Sequence, residues 1–209
     1  MAGEDAQDTG EIGLQRAKEW LELSTRVHQS WTRHDRAMSE LLEFTWPHPA
    51  AEGKPPGSFT YDLGGEFRGD SLDNQSFLAE IKKYKNESDL PTLFRDFLAK
   101  CYVARELKPS RCDHFLWISW SPFQAQRWDE HTTTDNVKKS ILHEKNRRRV
   151  TGVDDASEAA SKLSPDLLVD VASRTWLVTL SEKQELLVPT TRHYLEVVRL
   201  ILAEGKSGS

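Results

Sequence analysis

The sequence predicts a mixed three-layer α/β domain over most of its 209 residues. Three observations carry that expectation. Helical periodicity marks both ends of the chain, two strand-like runs flank a polar turn between Phe59 and Tyr84, and a nearly continuous apolar run, His114–Pro122, follows a helical segment. An apolar strand reached through a helix is expected to lie parallel to a neighbour with both faces covered.

Along the chain, Trp20, Leu23, Val27, Trp31, Met38 and Leu41 recur at three- and four-residue steps, which predicts one long helix from about Glu11 to Phe44, stopped before Pro47. The Pro- and Gly-rich stretch 48–57 is a loop. Phe59–Phe67 and Phe77–Tyr84 then form a hairpin, with Gly64 and Gly65 marking a bulge or a close backbone approach. Pro91 suits the first turn of a helix running to about Leu107 on the apolar positions Phe94, Phe97, Leu98, Cys101 and Ala104. The run His114–Pro122 is expected at the sheet's centre. A basic helix is predicted from about Thr134 to Arg149, a further helix opens with Ser164 as cap and Pro165 behind it, and 174–180 forms a strand with which 185–189 pairs. Thr190–Ala203 closes the chain as a helix.

Composition bounds the rest. A hydrophobic fraction of 37% with seven tryptophans can build one core, so a single domain is expected over residues 11–203, divided into a core at about 11–122 and a C-terminal elaboration at 123–203. Residues 1–10 and 204–209 lack periodicity and are expected to be a disordered tail and a flexible tail. Cys101 and Cys112 do not make a disulfide framework, and no apolar run nears membrane-spanning length, so a cytoplasmic protein without membrane contact is expected. A net charge of −5 disfavours coating nucleic acid by bulk charge. Any such contact falls to local basic groups: Lys138, Lys139, Lys145, Arg147, Arg148 and Arg149 in the basic helix, with Lys83 and Lys85 just beyond Lys82.

The hairpin carries the chemistry. In extended chain, alternate side chains share a face, so Glu80 and Lys82 project together, as do Asp62, Gly64 and Glu66 on the partner strand. One acid of the first strand then lies opposite Glu80, and register decides which. Two converging carboxylates repel unless a cation lies between them, and hard oxygen ligands suit Mg²⁺, with Mn²⁺ as substitute, rather than zinc. A neighbouring lysine can orient a water or stabilise charge developing on a phosphate.

Asp62, seventeen intervening residues and then Glu80-Ile81-Lys82 at the end of an apolar strand, followed by a helix and a buried strand, resembles the PD-(D/E)xK superfamily of restriction-endonuclease-like nucleases. The resemblance covers about residues 11–122. It implies a restriction-endonuclease-like core, a metal held by Asp62 and Glu80 with the Ile81 carbonyl, and Lys82 serving the attacking water. It implies an extra acid on the first helix, for which Glu40 and Glu43 are candidates. The family's proline before the aspartate is absent, since Tyr61 stands there, and Glu66 is the alternative first ligand. The implied activity is metal-dependent phosphodiester hydrolysis, with DNA preferred over RNA, in a restriction, repair or phage-defence system. Target choice would fall to a homodimer or a partner subunit. The competing expectation is an inactive nuclease-like subunit that binds nucleic acid or a protein.

Overall fold

The computed structural model describes residues 2–83 and 89–206. A five-stranded mixed sheet runs in the spatial order β1 (Val27–Thr32), β4 (Leu63–Phe67), β5 (Ser76–Lys82), β6 (His114–Ser119) and β7 (Thr175–Thr179). Two short strands, β2 (Glu43–Thr45) and β3 (Ser58–Thr60), form a separate antiparallel ribbon. The pairings β1–β4 and β4–β5 are antiparallel, whereas β5–β6 and β6–β7 are parallel. Connection length explains the difference: a short turn joins β4 to β5, while a helical crossover precedes each parallel strand. Those crossovers are α3 (Leu90–Leu107) and the group α4 (Thr134–Leu142), α5 (Glu144–Thr151), α6 (Ala156–Lys162) and α7 (Pro165–Arg174).

Helices cover both faces of the sheet. Leu14, Ala17 and Leu21 of α1 (Ala2–Ser24) pack with Leu63, Phe77, Ala79, Ile81, Leu116 and Ile118. Phe94, Phe97, Leu98 and Cys101 of α3 pack with Leu78, Phe115 and Trp117 on the opposite face. Alternation along β5 therefore sends odd positions toward α1 and even positions toward α3. Glu80 and Lys82 share the α3 side.

Several expectations are corrected. The helix anticipated from Glu11 to Phe44 ends at Ser24 and gives way to β1, the short helix α2 (Ser39–Leu42) and β2. The Thr25 hydroxyl donates to the Leu21 carbonyl and accepts the Val27 N–H, which stops the helix and turns the chain into a strand. The helix begins at Ala2, within the stretch read as a tail. The first arm of the hairpin is split as well: β3 pairs with β2, and only β4 belongs to the main sheet. Gly64 and Gly65 serve close approach, because a Cβ would stand 2.6 Å from Leu42 Cδ2 at the first and 2.5 Å from the Gln29 carbonyl oxygen at the second. The register irregularity lies instead in β1, between Val27 and Gln29.

The middle strand is β5, with the fully buried β6 beside it. The basic helix is two helices, broken at His143, whose extended backbone (φ −61°, ψ 141°) lets its ring Nδ1 accept the Lys145 N–H at the start of α5. Ser164 caps α7 through Leu167 N–H, as its sequence position predicts. No strand forms at 185–189; the short helix α8 (Glu182–Glu185) leads to α9 (Thr191–Lys206), and β7 remains an edge. Among the described residues no helix is long and apolar enough to cross a membrane.

Candidate active site

The site forms where β4 begins and β5 ends. The register of the hairpin runs from Glu66 opposite Ser76 to Leu63 opposite Ala79, and one further step sets Asp62 across from Glu80. Asp62 N–H donates to the Ala79 carbonyl at 3.1 Å, but the chain then departs toward β3 through Tyr61. The Asp62 carboxylate takes over from the main chain. Its Oδ2 accepts the Ile81 N–H at 2.9 Å, which fixes the carboxylate against β5 beside Glu80 and Lys82.

Lys82 bridges the two acids, with Nζ 2.8 Å from Glu80 Oε1 and 3.4 Å from Asp62 Oδ2. A second lysine, Lys100 of α3, reaches both oxygens of Glu80 at 3.2 and 3.3 Å. Arg33, just beyond β1, stands 3.6 Å from Asp62 Oδ1. Glu80 and Lys82 are 7% and 8% exposed, so these charges interact through protein more than through water. Burial, with repulsion from Glu80 behind it, pushes the Asp62 carboxyl above the usual aspartate range against the pull of Lys82, the Ile81 N–H and Arg33. Glu80 moves the other way. Burial pushes it up, but Lys82 and Lys100 outweigh that and hold it below the usual glutamate range.

The remaining sequence candidates separate from this cluster. Glu66 lies opposite Ser76 at the far end of β4 and accepts from Gln29 Nε2 at 3.1 Å, so register sets Asp62 rather than Glu66 across from Glu80. Glu40 is exposed on α2 and Glu43 is exposed on β2, opposite Thr60; neither sits on the first helix. Among the described residues no group of three or more His, Cys, Asp or Glu side chains could hold a metal ion. Two carboxylates still fit Mg²⁺, which is ordinarily held by one or two protein carboxylates and completed by water and substrate phosphate. The Ile81 N–H is engaged by Asp62; its carbonyl is the remaining main-chain oxygen between Glu80 and Lys82.

The basic candidates are mixed. Lys83 pairs with Glu182 at 3.2 Å and lies 5.2 Å from the Trp120 ring centroid, and Lys85 lies outside the described residues. Lys138 and Lys145 are exposed, and Lys139 is exposed but pairs with Asp135 at 2.6 Å. Arg147 is half-buried, and Arg148 pairs with Asp154. Arg149 stacks 4.4 Å from the Trp46 ring centroid, donates to Asn146 Oδ1 at 2.5 Å and faces Asp96 at 3.7 Å.

Lys100 and Arg33 escaped the sequence reading. Lys100 left a trace, since it is the one charged residue in the apolar run Phe97–Ala104 and every other member of that run is buried. Arg33 left none, because its place beside Asp62 depends on the β1–β4 pairing, in which Thr32 meets Leu63. Comparison with family models, with curated proteins and with solved structures finds no match to this chain.

Proposed function

We propose that the protein is a divalent-metal-dependent nuclease that hydrolyses phosphodiester bonds, with DNA as the preferred substrate, on a restriction-endonuclease-like core. The observation that carries this reading is the opposition of Asp62 and Glu80 across β4 and β5 with Lys82 held by both at 3.4 and 2.8 Å. Asp62 and Glu80, with the Ile81 carbonyl, would hold Mg²⁺ or Mn²⁺. Bound there, the ion would supply Lewis-acid polarisation of the phosphate and ease deprotonation of water. Lys82 has three N–H bonds, so it can keep one on Glu80 while turning another to the attacking water or to a phosphate oxygen. Lys100 and Arg33 extend the positive lining toward the substrate's charge. Hydrolysis joins the water oxygen to phosphorus and breaks the bond to the leaving sugar oxygen, which takes up a proton.

A second reading, a nuclease-like subunit that binds nucleic acid or protein without cutting, is favoured by one feature: Lys82, Lys100 and Arg33 already balance the two acids. Supercoiled plasmid and a single-stranded RNA, each incubated with Mg²⁺, Mn²⁺ or EDTA, test both readings beside folded Glu80→Ala and Lys82→Ala variants. Metal-dependent cutting lost in both variants is the expected result, and the substrate cut assigns DNA or RNA. No cutting together with no Mn²⁺ uptake in calorimetry would overturn the nuclease reading in favour of the second.

A further inference from the structure

Sheets with parallel strands ordinarily have both faces covered by helices. Here the cover on one face stops short. Trp20 of α1 with Phe67, Leu72, Leu116, Trp176 and Val178 lines an open apolar cavity of 330 Å³ over the β6–β7 end, and Trp176 is 48% exposed. Among the described residues the same chain also carries a helix whose apolar face is largely exposed. On α9, Tyr194, Leu195, Val197, Val198, Ile201 and Leu202 fall within an arc of roughly 160° at 100° per residue, and all six are between 43% and 62% exposed. That arc is wider than the seam of a two-stranded coiled coil and has the breadth of a helix laid on a sheet. The start of α9 is tied beside α1, where the Tyr194 hydroxyl donates to the Leu23 carbonyl, so the helix leaves its own chain next to the open face without covering it.

We propose that two copies of this chain exchange their C-terminal helices, α9 of each lying on the open β6–β7 face of the other. A reciprocal exchange is isologous and closes on itself as a two-fold dimer. The area suffices. Six half-exposed apolar side chains offer on the order of 100 Å² each, so two helices bring on the order of 1,200 Å² and the open ground around Trp176 on the two faces adds to it, which reaches the roughly 1,200–2,000 Å² of a standard stable interface. The dimer does not depend on the proposed nuclease chemistry.

Sedimentation equilibrium of the full chain at micromolar concentration tests the exchange. The expected result is the mass of two chains, reduced to one by Leu195→Glu with Ile201→Glu on the helix, and reduced to one equally by Val178→Glu on the sheet face. Helix positions are exposed, so those variants keep the fold, and circular dichroism checks Val178→Glu, with Trp176→Ala as a second face variant. Mixing decides the arrangement: the helix variant retains an intact face and Val178→Glu retains an intact helix, so together they should form a mixed dimer through one exchange, weaker than the parent. A monomeric full chain, a dimer that survives both face variants, or a mixture that yields no complex would each overturn the proposal.

Discussion

The cluster at Asp62 and Glu80 and the basic stretch from Lys138 to Arg149 both drew attention as charged sequence, yet the fold treats them differently. At the cluster, five charged groups from β5, α3, the β3–β4 link and the end of β1 converge within ion-pair distance, and its central pair is buried. In the basic stretch the charges diverge. Arg149 serves packing against Trp46, Arg148 and Lys139 have local acidic partners, and Lys138 and Lys145 face solvent. Density of charge along a chain therefore says less than convergence from separate elements, because only convergence makes groups meet away from water. The two regions touch through aromatics: Trp46 lies 4.5 Å from Phe59, whose ring stands 6.0 Å from Lys100 Nζ.

The largest effect that would break this contrast is removal of the central acid. Glu80→Ala takes from buried Lys82 and half-buried Lys100 the carboxylate they share, and breaking a buried ion pair by removing one member costs about 3–5 kcal/mol. Urea unfolding should register that loss; a change under about 1 kcal/mol would mean that water reaches the cluster freely and that its burial does not govern its energetics. Lys82→Ala comes next, at about 1.5–3 kcal/mol for the lost hydrogen bonds to charged groups, since Lys100 still holds Glu80 while Asp62 is left facing it. The pH dependence has a definite sign. The folded-state pKa of Asp62 is raised, so its charge opposes folding at neutral pH and the cost is relieved as pH falls through that raised value. Without Lys82 the relief is larger, and the variant's deficit should shrink as pH falls from neutral through the raised Asp62 value. Glu80, held low, contributes in the opposite sense and loses its contribution only at more acid pH. A deficit that stays constant across that range would assign the effect of Lys82 to packing alone.

Local chemistry was legible in the sequence where it did not depend on register. The alternation that puts Glu80 and Lys82 on one face, the Ser164 cap and the apolar strand at Phe115–Ile118 follow from spacing within one segment. The first-helix reading failed because Trp20, Leu23, Val27 and Trp31 satisfy helical spacing while a single hydroxyl, that of Thr25, ends the helix. The basic helix failed similarly at His143, where nothing in the apolar pattern marks the break. The resemblance favours Asp62 over Glu66, while the register that sets Asp62 across from Glu80 depends on Leu63 meeting Ala79, and Arg33 could not be nominated without the β1–β4 pairing. Three of the five charged groups, Asp62, Glu80 and Lys82, were thus visible within the hairpin. The other two, Lys100 and Arg33, join the cluster only once separate elements are brought together.

The smaller predictions sharpen the contrast from the basic side. Arg149→Ala should cost about 1–2 kcal/mol, because it uncovers the Trp46 face and removes a half-buried stem as well as a charge. Lys138→Ala with Lys145→Ala should change stability by less than about 0.5 kcal/mol, as surface substitutions do. Their consequence appears in nucleic-acid binding, where each lysine that contacts a phosphate contributes about 0.9 to the slope of log affinity against log salt on duplex DNA. Fluorescence anisotropy with a labelled duplex over a salt series should show the slope reduced by about 1.8 in the double variant, with Arg149→Ala leaving it nearly unchanged. Equal slopes in parent and double variant would place the phosphate contacts elsewhere, and would make the basic stretch a structural feature from end to end.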